Sequence, residues 1–305
     1  MLHVMDALEP SGPYSMAVDI AQYMHQWQHT LLFTSNAAPD PDMLVHAQGA
    51  GLDVLQTSFI DERHISELSA SMAITYDVVV PSLEQELGTR CVRYAYSRTL
   101  PKGGVIVDTR QVPPMVNARN LRRLAGPPAK FTVAMLTSGR FGKYPCDLAM
   151  ALMSGVKPGT TLMLTELPAY RHPGMVLALD AARKDKRITM LRCPVHPSGG
   201  VQYTVRADVL VYGTAAGYEA HYGRLVVEAM AMGKAVVVER KGVFGRVLEH
   251  GRQALLFDTP DEAVDHVRRL EKEPGLRASL GANAQLWASY EDISNHIGKL
   301  KQLFR

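Results

Sequence analysis

Continuous apolar runs that alternate with helical patterns constrain the fold of this 305-residue chain more than any other feature. Runs of this kind, bounded by turn residues, are typical of parallel strands that are buried on both faces. In the first half they are Leu2–Ala7, Thr30–Thr34, Tyr76–Ser82 and Gly103–Thr109, with a helix expected from about Tyr14 to Trp27. The pattern predicts an α/β domain built on a doubly wound parallel sheet.

The alternation stops at a proline-rich segment and then starts again. Residues 110–131 contain two Pro-Pro pairs around a short basic helix, which is typical of a hinge. The second-half strands are expected at 131–136, 160–165, 188–192, 207–213, 235–239 and 254–258, and the helices at 147–154, 174–184, 224–232, 260–271, 273–288 and 293–304. We therefore predict two Rossmann-like domains, 1–120 and 128–288, with a ligand cleft between them at the carboxyl ends of the strands.

The composition is that of a globular protein, with 47% hydrophobic and 21% charged residues. No apolar run approaches the roughly 20 residues that cross a bilayer. The amino terminus lacks a basic region followed by an apolar core, so we expect no secretion signal. The three cysteines are too widely spaced for a zinc pattern or a disulfide framework. Together these features favour a cytoplasmic protein.

Charge is distributed unevenly along the chain. Residues 1–127 contain 9 Lys and Arg against 13 Asp and Glu, a net charge of −4. Residues 128–305 contain 24 against 17, a net charge of +7. The second half therefore suits an anionic ligand, whereas the first half does not favour a polyanion.

The stretch "EAHYGRLVVEAMAMGKAVVV", residues 219–238, is the strongest candidate for a binding site. Gly223 precedes a helix that Gly233 is expected to end, and the amino end of a helix attracts phosphate. Glu228, about one turn into this helix, is placed to accept hydrogen bonds from a ribose. Arg224 and Glu228 are also spaced i, i+4, which is typical of a surface ion pair. The pattern alone leaves both interpretations open.

Two further turns follow predicted strands. The loop "LTSGRFGKYP", residues 136–145, carries Arg140 and Lys143, which are suited to a diphosphate but are also common in solvated loops. Gly12, in the turn after the first strand, is either a donor contact or an ordinary tight turn. His221 adjoins the candidate phosphate turn. The sequence contains no zincin, α/β-hydrolase or P-loop motif, and we expect no bound metal.

Taken in order, the second-half motifs resemble the carboxyl-terminal domain of group 1 (family 4-like) retaining glycosyltransferases of GT-B fold. The resemblance runs from Thr132 to about Ala288 and includes "MLTSGRFGKYPCDLAMAL" and "YGRLVVEAMAMGKAVVVERKGVFGRVLEHGRQALLF". It is fainter in the first half, which is similar to a shortened amino-terminal domain on the acceptor side. The last segment, 289–305, resembles the closing helix with which the family packs back on the first domain.

The resemblance implies a metal-independent transfer of a sugar with retention from a nucleotide sugar, here a UDP-sugar, to an unknown acceptor. No cofactor is implied. Arg140 and Lys143 would neutralise the diphosphate, and Glu228 would bind ribose. A further catalytic acid is expected eight residues before Glu228, where this chain has Ala220. Glu219 stands one place earlier, and a one-residue bulge would restore its position. The helix start, Gly223-Arg224-Leu225, would hold phosphate, and His221 and Gly12 complete the donor contacts.

Two other functions fit the same residues. A nucleotide-sugar-binding pseudoenzyme subunit would keep Arg140, Lys143 and Glu228 but lack catalysis because of Ala220. A DNA-modifying glycosyltransferase acting on hydroxymethylated bases would use the basic hinge, although the acidic first half speaks against DNA binding. The acceptor is thus a glycan, a small molecule or modified DNA, and the sequence does not choose among these.

Overall fold

A computed structural model of the chain describes residues 1–5, 8, 12–34, 39, 41–58, 67–76, 80–95, 105–108, 116–124, 130–136, 144–165, 184–191, 199–215 and 223–303. The strands are β1 (Leu2–Met5), β2 (His29–Thr34), β3 (Leu52–Thr57), β4 (Ala73–Tyr76), β5 (Cys91–Ala95), β6 (Val105–Asp108), β7 (Thr132–Met135), β8 (Thr161–Thr165), β9 (Ile188–Leu191), β10 (Val209–Tyr212), β11 (Ala235–Glu239) and β12 (Leu255–Phe257). The helices are α1 (Gly12–Tyr23), α2 (Pro41–Gly49), α3 (Pro81–Leu87), α4 (Ala118–Leu124), α5 (Cys146–Gly155), α6 (Gly199–Thr204), α7 (Arg224–Ala231), α8 (Phe244–Val247), α9 (Pro260–Lys272), α10 (Pro274–Tyr290) and α11 (Ile293–Leu303).

These elements form two compact units. Unit 1 contains Met1–Asn117 and Asp292–Arg305, and unit 2 contains Ala118–Pro194 and Ser198–Glu291. In unit 1 the described strands form a parallel sheet in the order β3-β2-β1-β4-β5-β6. In unit 2 they form a second parallel sheet in the order β12-β11-β10-β7-β8-β9. The predicted α/β class with two doubly wound sheets is confirmed.

Unit 1 differs from the sequence prediction in several elements. The strands β3 and β5 were not predicted, so the described sheet has more strands than the apolar runs indicated. The predicted strand Tyr76–Ser82 overlaps β4 at Tyr76, and residues 77–79 lie outside the described part of the chain, but its predicted end is wrong, because Pro81 begins α3. Proline is favoured in the first helical turn, where its missing N–H costs nothing. The predicted first helix also ends at Tyr23 rather than at Trp27.

A buried chain of hydrogen bonds crosses the middle of the unit 1 sheet. His29 Nε2 lies 3.0 Å from the carbonyl of Met24, which can only accept, so this nitrogen carries the hydrogen. His29 Nδ1 then accepts from His3 Nε2 at 3.1 Å, and His3 Nδ1 accepts from the Tyr76 hydroxyl at 3.0 Å. This direction of donation holds when both imidazoles are neutral. Burial lowers the pKa of His3 well below its ordinary range, and the charges of His29 and the amino terminus lower it further.

This chain predicts a loss of stability in acid. Burial also lowers the pKa of His29, so the unfolded chain takes up protons first, below about pH 6.5, and the folded state is favoured above that pH. We expect the free energy of unfolding, measured by urea denaturation between about pH 7.5 and 5.5, to fall by up to about 1.4 kcal/mol per pH unit for each histidine.

The double variant His3→Leu/His29→Leu should show a smaller acid slope than the unmodified protein. His266 in unit 2, whose pKa burial also lowers, should preserve part of that slope. His25→Gln serves as the matched control, because His25 is an exposed histidine of the same unit. An acid slope that is unchanged in the double variant would contradict a neutral His3–His29 pair.

Unit 2 buries an apolar layer on its sheet and protects one edge with histidines. Val133, Leu162, Val211 and Val237, from four neighbouring strands, are buried in one cluster. At the outer strand β12, the N–H of Leu256 donates to His250 Nδ1 at 3.0 Å, and His266 Nε2 lies 3.2 Å from the carbonyl of Leu256. The backbone of β12 is therefore paired with β11 on one side and with side chains at Leu256 on the other.

The order of sheet 2 places its switch point between β7 and β10. The chain runs outward from β7 through β8 and β9, then returns to the other side of β7 as β10 and continues outward to β12. In open parallel sheets, ligands bind at the carboxyl ends of the strands that flank such a switch point. The fold therefore predicts a ligand site at the connections that follow β7 and β10.

Candidate functional site

The helix α7 begins close to the end of β10 and carries the described part of the predicted site. Its first turn starts at Gly223, whose carbonyl accepts a hydrogen bond from the N–H of Val226 at 2.9 Å. Gly233, with φ of 71°, follows its last turn, as the sequence predicted. The first N–H groups of a helix have no carbonyl partner within it, and the aligned peptide dipoles make this end positive. The amino end of α7 is therefore suited to an anion.

Gly223 has a packing role that the sequence did not reveal. Its φ of −91° is open to any residue, so glycine is not required for backbone conformation. A Cβ there would lie 3.1 Å from Phe244 Cζ and 3.2 Å from Tyr212 Cζ, with a closer overlap at Phe244 Cε2. The two rings meet edge to face, with centroids 6.2 Å apart. Glycine at 223 thus lets the start of α7 rest directly on this aromatic pair.

Arg224 and Glu228 form the i, i+4 pair that the spacing predicted, but the pair is not on the surface. Arg224 Nε donates to Glu228 Oε1 at 2.7 Å, and only 13% and 10% of the two side chains are exposed. Removing one partner of a buried pair is far more costly than losing an exposed one. The ion-pair interpretation is therefore right about the contact and wrong about its surroundings.

Leu225 is anchored by packing. Its Cδ1 lies 2.8 Å from the position that a Cβ on Gly200 would take, so the leucine side chain covers the first turns of α6. Gly12, the candidate in unit 1, is the first residue of α1, directly after the segment that follows β1. Its role as a donor contact stays a prediction.

The other predicted site residues lie outside the described part of the chain: Arg140, Lys143, Glu219 and His221. The loop that carries Arg140 and Lys143 connects Leu136, just past the end of β7, with Tyr144, and both of these flanking residues are buried. Since β7 and β10 are neighbours, that loop and the connection to α7 leave the sheet at the same edge. Roles for these four residues stay predictions.

Glu239, at the carboxyl end of β11, was not singled out from the sequence. Its Oε2 accepts hydrogen bonds from the Thr214 N–H at 2.9 Å and from the Thr214 hydroxyl at 3.0 Å. Its Oε1 lies 2.5 Å from Lys241 Nζ. The only sequence signal was an acidic residue ending the apolar run "AVVVE". Glu239 joins the ends of two neighbouring strands at the switch-point edge.

Within the ranges given above, no three or more His, Cys, Asp and Glu side chains are grouped so that they could hold a metal ion. In the same part of the chain, none of the helices has the length and apolar character needed to cross a bilayer.

The fold is that of known glycosyltransferases. A glycosyltransferase from Rickettsia africae ESF-5 superposes with a TM-score of 0.73 at 12% identity, covering 100% of this chain and 98% of that one. HepE from Anabaena, in complex with UDP and glucose, superposes with a TM-score of 0.69 at 14% identity, covering 99% and 98%. At these identities the likeness establishes the fold alone, which is GT-B.

The sequence comparisons identify one domain more specifically. Residues 201–287, which include α7 and β11, match the family "Glycosyl transferases group 1". The D-inositol 3-phosphate glycosyltransferase of Arthrobacter sp. (strain FB24) is 29% identical over 191 residues. That alignment covers 60% of this chain and 44% of the relative, so the chain spans less than half of that protein's length. The match to the group 1 glycosyltransferase family thus lies within unit 2 and contains α7.

Proposed function

We propose that the chain is a nucleotide-sugar-dependent glycosyltransferase that uses a UDP-sugar and transfers the sugar with retention, without a metal or cofactor. The observation that carries this proposal is the buried Arg224–Glu228 pair in the first turns of α7. It lies at the carboxyl edge of a doubly wound sheet and within the segment that matches the group 1 family. The UDP complex of HepE, which shares the fold, favours UDP as the nucleotide.

Each described residue has a role in this proposal. The amino end of α7 holds a phosphate of the donor through backbone N–H groups, beginning at Gly223. The carboxylate of Glu228 accepts hydrogen bonds from the ribose hydroxyls. Arg224 contacts Glu228 and is the first residue of α7, so its positive charge also attracts the phosphate. Residues four positions apart on one helix thereby bind the ribose and the phosphate.

The cations of the β7–α5 loop stabilise the leaving group of the reaction, which is the nucleoside diphosphate. As the glycosidic bond breaks, negative charge develops on the diphosphate and positive charge on the sugar ring. Arg140 and Lys143 stabilise the diphosphate as it leaves, together with the positive end of α7. Fixed charges of this kind do the work that a divalent cation does in other transferases. Glu219 is the acid assigned to the sugar, displaced by one residue from the expected position at Ala220.

The test combines nucleotide binding with donor turnover. UDP at about 100 times its Kd should raise the free energy of unfolding by about 2.7 kcal/mol, which is measurable as a thermal shift, whereas GDP serves as the matched nucleotide control. UDP-glucose, the probe suggested by HepE, should be hydrolysed slowly with release of UDP. EDTA should not reduce the rate of this hydrolysis. If no nucleoside diphosphate stabilises the protein, the proposal is wrong.

The pseudoenzyme remains the second candidate because of one observation. Ala220 occupies the position at which the resemblance expects a catalytic acid. UDP binding at micromolar Kd, with no release of UDP from any donor tested and no transfer to any acceptor, would favour the pseudoenzyme. Restoring the acid with Ala220→Glu should then raise donor hydrolysis above the background rate.

A further inference from the structure

An acidic side chain is unexpected beside a site for a diphosphate, and Glu239 lies at the same sheet edge as the amino end of α7. A carboxylate there would repel an anionic ligand unless its charge is compensated. Both of its oxygens are engaged, Oε2 by Thr214 and Oε1 by the Lys241 ammonium group. Only 13% of the Glu239 side chain is exposed. Its charge is therefore matched locally, and its position is fixed.

Glu239 binds Thr214, which lies where the chain leaves β10. Thr214 lies two positions after the last residue of β10, and its N–H and hydroxyl both donate to the same carboxylate oxygen. Gly213, between them, packs so closely that a Cβ would lie 2.8 Å from Leu148 Cδ2 and 3.7 Å from Glu239 Oε2. The exit from β10 is thus fixed by a hydrogen-bonded clamp and by tight packing.

The same exit supports the start of α7 from the other side. Tyr212, the last residue of β10, lies against Gly223, and Phe244 closes the contact. Glu239 therefore fixes Thr214, and the aromatic pair holds Gly223 against Tyr212, two residues before Thr214. Neighbouring strands β10 and β11 share their register up to Tyr212 and Val238, which places Glu239 one residue beyond.

We propose that Glu239 is a positioning residue for nucleotide binding, acting through Thr214 rather than by touching the ligand. The inference rests on the proposed function, because it assigns the exit of β10, residues 212–214, to the donor side of that site. Thr214 held by Glu239 keeps the β10 exit in the conformation that presents the amino end of α7 to a phosphate. Loss of the anchor should weaken UDP binding, since the exit of β10, against which Gly223 packs, must then be ordered when the ligand binds.

The test compares Glu239→Ala with a matched variant at the opposite edge of the sheet. Glu271 accepts a hydrogen bond from the Thr160 hydroxyl at 2.9 Å, and Lys157 Nζ lies 3.9 Å from its other oxygen, which reproduces the Glu–Thr–Lys arrangement at the amino end of β8. By calorimetry, Glu239→Ala should raise the Kd for UDP about tenfold. Glu271→Ala should leave that Kd unchanged.

Two further variants separate positioning from general destabilisation. Glu239→Gln keeps an oxygen that can accept from Thr214, so it should recover most of the UDP affinity. Thr214→Val removes only the hydroxyl, so it should give a loss of two- to fivefold and carries the test if Glu239→Ala does not fold. In hydrogen exchange without ligand, the Thr214 amide should exchange faster in Glu239→Ala than in the unmodified protein.

The outcomes distinguish the two proposals. UDP binding by the unmodified protein that neither Glu239→Ala nor Thr214→Val weakens would overturn this inference and leave the proposed function intact. Equal losses in Glu239→Ala and Glu271→Ala would also overturn it, because both would then reflect stability alone. Failure of the unmodified protein to bind UDP would overturn the proposed function and this inference together.

Discussion

Replacing Glu228 by glutamine should lower the affinity for UDP about 10- to 100-fold while the protein stays folded. A hydrogen bond from a hydroxyl to a carboxylate contributes about 1.5–3 kcal/mol, and glutamine retains the shape of the side chain but not the charge. It also retains an oxygen for Arg224 Nε, which now donates to Glu228 at 2.7 Å. Glu228→Ala should have a larger effect, because it leaves the Arg224 guanidinium buried without this partner.

The control for Glu228→Gln is an arginine–glutamate pair in solvent. Arg252 Nη1 lies 3.0 Å from Glu249 Oε2, three residues away, and more than 60% of each side chain is exposed. Glu249→Gln should change neither the UDP affinity nor, beyond about 0.5 kcal/mol, the stability. Calorimetry with UDP and urea denaturation measure the two effects. If Glu228→Gln binds UDP as tightly as the unmodified protein, the assignment of ribose to Glu228 is wrong.

Replacing Gly281 by alanine should destabilise unit 2 by about 3 kcal/mol. Gly281 lies in α10, where a Cβ would collide with the backbone carbonyl of Gly233, the residue that ends α7. Side chains can rotate away from a collision, but this oxygen belongs to a main chain fixed between α7 and β11. The helices α7 and α10 must therefore move apart, so the variant should also weaken UDP binding.

Gly275→Ala in the same helix is the matched control. Among the described residues, no heavy atom apart from its chain neighbours and the nearby backbone of its own helix lies within 4 Å of the position that its Cβ would take. Alanine is a better helix former than glycine by about 1 kcal/mol, so this variant should be neutral or more stable. Urea denaturation of the two variants measures the difference. Equal stability of both would show that α10 does not require glycine against Gly233.

Unit 2 could be predicted from the sequence because its strands are buried on both faces. The runs "AVVVE" and "TTLMLT" each have three consecutive large apolar residues at their centre, and the structure places strands at Ala235–Glu239 and Thr161–Thr165. The two strands missed in unit 1 lack that signal. Leu52–Thr57 is an edge strand with mostly polar or half-exposed positions, and Cys91–Ala95 carries a buried Arg93. Apolar periodicity does not recognise either kind of strand.

Helix starts at proline were a second source of error. Pro81 was assigned to the end of a strand, although a proline followed by a run containing Glu84 is typical of a first helical turn. Pro41, in a segment rich in proline and aspartate, begins α2 in the same way. The apolar residues before Pro81 outweighed its local preference in the prediction.

In the candidate site, short-range features were predictable and long-range ones were not. Gly223, Arg224 and Glu228 could be selected because spacing along one helix determines which side chains meet. The sequence could not show that this pair is buried, since burial depends on packing against elements that are distant along the chain. Glu239 was missed for a related reason, because its contact with Thr214 joins residues that are 25 positions apart. Only the parallel alignment of β10 with β11 brings the two together.

The histidines at β12 affect how copies of this protein would meet. An outer strand with open backbone groups is a template for the sheet of another molecule, and many β-rich assemblies begin there. At Leu256 both backbone groups are already bonded, to His250 and His266. An incoming strand would have to break two hydrogen bonds before it formed its own.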